Sequence, residues 1–138
     1  MSSPTPHRVI TAPELAQPVG FAHAVVAAAG GRTVYLGGQT AQGPDGAIVG
    51  SSIVEQFELA AANVVAALHA AGAAPEHLVS LIIYVTDVAE YRAALPELGA
   101  VWRRLFGRHY PAVALLGVHA LFDGAAKVEL LGTAVVPA

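Results

Sequence analysis

A chain of 138 residues that is 55% hydrophobic and only 12% charged can build one domain with a substantial core. It has too few charges to cover its own surface, so part of its apolar exterior is expected to be buried between subunits. The net charge of −3, with Arg103, Arg104 and Arg108 as the only cluster among seven Lys and Arg, argues against a nucleic-acid partner. The absence of cysteine excludes disulfides and thiol chemistry. No uninterrupted apolar run approaches a membrane span and the start has no apolar leader core, so no membrane partner and a cytoplasmic location are expected.

Residues 1–19 read as an N-terminal region: a loose tail in "MSSPTP", a short edge strand in "HRVITA", and a loop in the proline-bearing "PELAQPVG". Residues 20–138 read as one domain, without internal repeat or linker. "FAHAVVAAAGGRTVYLGGQ" predicts a hairpin with strands over Phe21–Ala27 and Arg32–Leu36 and a Gly-Gly turn. The first helix has a clear start, because Ser52 followed by Glu55 forms a capping box that satisfies two orphan N–H groups. Phe57, Ala60, Ala61, Val64 and Leu68 recur at helical spacing, and Gly72 is placed to end the helix.

"LVSLIIYVTD" is β-branched and apolar on both faces, which predicts a central strand. A second helix is expected from about Pro96 to Arg108, with Leu98, Val101, Trp102 and Leu105 as its stripe. "AVALLGV" and "KVELLGTAVV" close the chain as strands. The order predicts an α+β fold, one mixed sheet with two helices packed on one face.

Few residues carry chemistry by spacing alone. Glu129, two residues from Lys127 on a strand, has by itself the pattern of a solvated face. The six histidines show no ligand spacing, so no metal and no other cofactor are expected. Gly37-Gly38 indicates a tight backbone approach rather than a phosphate cradle, since no helix N-terminus follows it at once.

The order of motifs, however, resembles the RidA (YjgF) family of enamine/imine deaminases. "GFAHAV" matches a G-Y-x-Q/H start, and "VYLGGQ" matches V-x-x-S-G-Q. Gln56, Asn63 and the closing "AAG" of the first helix follow, then "LVSLIIYVTD" with Tyr91, "YPA" at Tyr110 to Ala112, and "VEL" at Val128 to Leu130. The resemblance implies a chorismate-mutase-like subunit in a homotrimer, with clefts lined from two neighbours. It also implies hydrolytic release of ammonia, with a strand Glu activating water and an Arg of a P-x-R-S/T motif gripping the substrate carboxylate.

The Glu falls on Glu129, which turns that residue from a solvated side chain into a candidate catalytic acid/base. The Arg is absent: "YPAVALLG" has Val113 in its place. Other site positions are also stripped of polar groups, with Phe21 for a Tyr, Gly37 for a Ser, Leu115 for a Cys or Thr, and Gly99 aligned with an Asn. An apolar surround of Phe21, Val113 and Leu115 would favour the protonated form of Glu129, suited to giving or taking one proton. His23, at the Q/H position, and His119, after the "AVALLGV" strand, are expected at the cleft mouth. Val113 and Ala114 would offer backbone N–H groups to a developing charge.

The function so implied is deamination of a small-molecule imine or enamine that is neutral or bulky and apolar. The alternatives are a Glu-dependent isomerase, cyclase or dehydratase of a biosynthetic pathway, and a non-catalytic trimeric ligand-binding or regulatory protein. RNA cleavage, proposed for some members, fits least with an acidic chain that lacks a basic groove.

Overall fold

A computed structural model describes residues 3–138. Six strands and three helices follow the order β1 (Arg8–Ile10), β2 (Ala24–Val26), β3 (Arg32–Tyr35), α1 (Ile53–Ala70), β4 (Leu78–Val85), α2 (Val88–Ala93), α3 (Leu95–Phe106), β5 (Ala112–Gly117) and β6 (Val128–Val136), with one 3-10 turn at Pro75–His77. A four-stranded mixed sheet runs β3-β6-β4-β5, and β1 and β2 form a separate antiparallel ribbon. The β4–β5 pair is parallel, which requires a crossover, and α2 and α3 supply it.

Helix α1 forms as its sequence dictates. The Ser52 hydroxyl accepts the Glu55 N–H at 3.1 Å, and the Glu55 carboxylate accepts the Ser52 N–H at 3.1 Å. At the other end Gly72 adopts a left-handed φ of 76°. Its N–H reaches the His69 carbonyl and that of Ala73 the Leu68 carbonyl, the paired bonds of a Schellman stop. The buried stripe, Phe57, Ala60, Ala61, Val64 and Leu68, packs on the sheet with Leu81, Ile83, Val128 and Leu130. Burying each large side chain contributes about 1.5–3 kcal/mol.

The expected central strand is β4, flanked by β6 and β5. The expected hairpin does not form. β2 pairs with β1, whereas β3 pairs with β6. The Gly-Gly pair does turn the chain, but from the ribbon into the main sheet: Gly30 has φ 70°, and a Cβ at Gly31 would stand 2.7 Å from the Val136 carbonyl oxygen. The predicted second helix is α3, ended by Gly107 at φ 74°. The short α2 before it, capped by Asp87 accepting the Glu90 N–H, was not expected, because six residues show no periodicity.

The N-terminal region is more firmly packed than a loose tail. Met1 and Ser2 lie outside the described residues, but Thr5 is buried and donates its hydroxyl to the Glu76 carbonyl at 2.7 Å. His7 is also buried; its Nδ1 accepts the Ala28 N–H at 3.0 Å, which leaves Nε2–H to donate to the His77 carbonyl at 2.9 Å.

All three helices cover one face of the sheet. On the other face, register places Thr33 and Tyr35, Glu129, Leu131 and Thr133, Ile82 and Tyr84, and Ala114 and Leu116. Tyr35 is 81% exposed, Leu116 and Leu131 are also exposed, and Glu129 is the only charged side chain on this face of the four strands.

Candidate functional site

A cavity of about 370 Å³ opens between the helices and the edge of the sheet. Its floor is Ile83 of β4 with Val113 and Leu115 of β5, which share the helix-facing side because Val113 pairs with Leu81 and Leu115 with Ile83. Its walls are Phe57, Tyr91, Leu98, Gly99 and Trp102. The mouth lies between Val19, Gly20 and Phe21 on one side and Leu95 and Tyr110 on the other. No lining side chain carries a charge.

The walls are held rigidly. Trp102 stacks on Tyr110 with ring centroids 5.5 Å apart and planes 5° from parallel, meets Phe106 edge-on at 4.6 Å, and donates Nε1–H to the His109 carbonyl at 3.2 Å. Tyr91 packs edge-on against Phe57. Burial pushes the Tyr91 phenol up to about 12, so it stays protonated at neutral pH.

The structure divides the residues that the sequence singled out. Val113 and Leu115 line the cavity, and Phe21, 39% exposed, forms its lip. Glu129 lies across the sheet from them, opposite Tyr84, and Ala114 is on that same outer face. The apolar surround expected for Glu129 is therefore absent within one subunit, because strand pairing sends Val113 and Leu115 to the far side. The loop after β3 runs beside Glu129 instead: Gln39 and Leu130 exchange both backbone hydrogen bonds at 2.8 Å, and a Cβ on Gly38 would strike the Glu129 carboxylate. The tight approach foreseen at Gly37-Gly38 belongs to Gly38, while Gly37 is exposed beside it with open space around its Cα.

Glu129 is half-buried and joins neither ion pair among the described residues. Lys127 binds Glu90 at 2.9 Å, and Glu90 also accepts the Ile53 N–H at the start of α1. Arg104 pairs with Glu58 on the exposed surface.

His23 has both ring nitrogens engaged: Nδ1 accepts the Ala12 N–H and Nε2–H donates to the Ala16 carbonyl, each at 2.9 Å. It pins the 12–16 loop and stands edge-on to Phe21, 6.0 Å between centroids. His119 sits exposed in the loop after β5. Gln56 and Asn63 do structural work, Gln56 through three hydrogen bonds and Asn63 by donating to the Thr40 and Gln42 carbonyls. Among the described residues no cluster of His, Cys, Asp or Glu has the arrangement of a metal site, and no helix is long and apolar enough to cross a membrane.

Ile83, Leu98 and Tyr91 join the site unannounced. The first two carried only a core signal. Tyr91 entered through the family motif, without a role.

Fold and cavity together define an α+β domain with an uncharged pocket between its helices and its sheet edge. The family model described as Endoribonuclease L-PSP matches residues 11–136, and the chain belongs to that family, the Rid or YjgF proteins. A Rid-family protein of unknown function from Yersinia pestis, YyfB, is 32% identical, with a TM-score of 0.81 over 94% of this chain and 98% of its own. A YjgF/YER057c/UK114-family protein from Mycobacterium tuberculosis is 30% identical, with a TM-score of 0.62 over 86% and 88%. RidA from an Antarctic Psychrobacter is 26% identical, with a TM-score of 0.66 over 93% and 98%. None of the curated proteins compared with the chain matches it.

Proposed function

We propose that this protein is a RidA-type deaminase that hydrolyses a neutral or bulky apolar imine or enamine, with Glu129 as its acid/base. The observation that carries the reading is a cavity free of charge with Val113 on its floor, at the position where the family resemblance implies a carboxylate-binding Arg. A valine cannot pair with a substrate carboxylate, and an unpaired carboxylate buried there would cost several kcal/mol.

Glu129 acts on this cavity from a second copy. Within one subunit it faces away from Val113 and Leu115, on the sheet face that the helices leave bare. Association of copies through that face, as a homotrimer, would cover Leu116, Leu131 and Tyr35 and bring a neighbour's Glu129 to the cavity edge. The carboxylate takes a proton from water as the water oxygen bonds to the C=N carbon, and the imine nitrogen takes up a proton from solvent to give a carbinolamine. The protonated Glu129 then returns its proton to the amine nitrogen as the C–N bond breaks, and the carbinolamine hydroxyl gives its proton back to solvent. This leaves a carbonyl and ammonia, with Glu129 a carboxylate again. β5 is the edge strand of its sheet, and the Ala22 bridge covers only Ala112. Backbone N–H groups around Val113 and Ala114 would steady the charge that develops.

RNA cleavage has no comparable support, since no cation lines the cavity and Arg104 is paired.

The test is ammonia release from imines generated in situ, the carboxylate-bearing ones by an amino-acid oxidase and the neutral ones by a flavin amine oxidase. Acceleration over spontaneous hydrolysis confined to the neutral imines, and abolished by Glu129→Gln, is the expected result. Equal acceleration of carboxylate imines overturns the reading of Val113. No acceleration of any imine overturns deamination, in favour of an isomerase, cyclase or dehydratase or of a binding protein.

A further inference from the structure

The cavity has a polar anchor that its apolar character conceals. Its lining side chains carry three polar groups in all: the Trp102 indole N–H and the Tyr91 and Tyr110 hydroxyls. The indole N–H is already engaged with the His109 carbonyl. Tyr110 lies flat on Trp102 at the mouth. Tyr91 sits farther in, against the fully buried Phe57, and among the described residues its hydroxyl has no hydrogen-bond partner.

A phenol with no protein partner at the wall of a largely apolar cavity is free to give its hydrogen bond to a ligand acceptor in place of solvent. Because burial keeps it protonated, it offers one hydrogen-bond donor across the neutral range. Around it, Phe57, Trp102 and Phe21 provide flat aromatic surface, and a volume near 370 Å³ accommodates a single ring with a short substituent.

We infer that Tyr91 is a specificity-determining residue that hydrogen-bonds the one neutral polar group of a single-ring, uncharged aromatic ligand held in this cavity. The inference rests on the substrate cavity of the proposed function but not on the reaction. An acceptor atom on a carbon attached to the ring would lie toward Tyr91, and the ring would pack against the aromatic walls. A carboxylate in the same place would receive one hydrogen bond and no countercharge, so anionic ligands are disfavoured.

Trp102 is the only tryptophan of the chain and lines the cavity, so its emission reports occupancy directly. The experiment titrates the full-length protein and Tyr91→Phe with benzamide, benzoate and toluene. The wild type is expected to bind benzamide at least about tenfold more tightly than benzoate, and Tyr91→Phe to weaken benzamide by about five- to tenfold, one hydrogen bond's worth. Toluene binding should be the same in both proteins, which a merely structural role for the hydroxyl would not produce. Benzamide affinity unchanged by Tyr91→Phe, toluene weakened as much as benzamide, benzoate bound as well as benzamide, or no change in emission with any probe would each overturn the inference. Selective benzamide binding without turnover of any imine would uphold Tyr91 and refute deamination. Turnover of neutral imines indifferent to Tyr91→Phe would do the reverse.

Discussion

Gln56 is the side chain on which the placement of β6, and hence of Glu129, most depends. It is 1% exposed on α1; its amide nitrogen donates to the Gly50 carbonyl at 3.1 Å and the Ala125 carbonyl at 3.0 Å, and its oxygen accepts the Lys127 N–H at 2.8 Å. These bonds tie the helix to the loop before it and to the chain two residues ahead of Glu129. Gln56→Met keeps the length and volume of the side chain and removes all three. At about 1 kcal/mol for each lost bond, with two carbonyls and an N–H left partly desolvated, the loss is about 3 kcal/mol. Against a total of roughly 5–15 kcal/mol for a domain, this is a large fraction. Urea unfolding at fixed protein concentration measures it, with a lower midpoint and an unchanged slope. A loss under about 1 kcal/mol would refute the reasoning, since it would mean that water replaces the amide at no penalty.

Acidity is expected to weaken the fold through the buried His109. Burial, the largest cause, holds His109 below its ordinary value of 6.5, its Nε2–H donating to the Leu78 carbonyl while Nδ1 is buried without a partner. The unfolded chain binds the proton first, so this contribution is whole above about pH 6.5 and is lost as pH falls from there through the lower folded value. A urea midpoint that stays flat from pH 8 to pH 5 would contradict the account. Glu90→Gln should keep the bond to the Ile53 N–H but lose the charge opposite Lys127, a partly exposed pair worth about 0.5–1 kcal/mol, measurable as the coupling in a double-mutant cycle with Lys127→Met. Val113→Arg should reverse the ligand preference, raising benzoate affinity by tenfold or more in the Trp102 titration, at a stability cost of about 1–3 kcal/mol for an unpaired guanidinium. Unchanged benzoate affinity would mean that this position does not face the ligand.

What the sequence made legible was local or motif-borne. Ser52 and Glu55 announce the start of α1, Gly72 its end, and the two-sided apolarity of "LVSLIIYVTD" puts β4 in the middle of the sheet. Val113, Leu115, Phe21 and Gly99 could be assigned to the cavity from motif order alone. What stayed hidden was set by long-range pairing. Whether Glu129 and Val113 share a face depends on the registers of β4 with β5 and with β6, and a shift of one residue in either would reverse the answer. The false hairpin has the same origin, because β3 finds a better partner in the far C-terminal β6 than in its neighbour β2. Tyr91 entered with the family motif but without a role, because a phenol on a six-residue helix has no periodicity to reveal its direction.

The central claim, a cavity in one copy served by Glu129 from another, is tested most directly by mixing subunits. Glu129→Gln removes the carboxylate, and Leu115→Trp fills the cavity, so each variant alone should hydrolyse a neutral imine such as benzaldimine no faster than water does. Co-assembled in equal amounts, the two should recover about a quarter of wild-type ammonia release, because one interface in four joins an open cavity to an intact Glu129. A wild type no faster than spontaneous hydrolysis, or a mixture as inactive as its parents, would contradict the account.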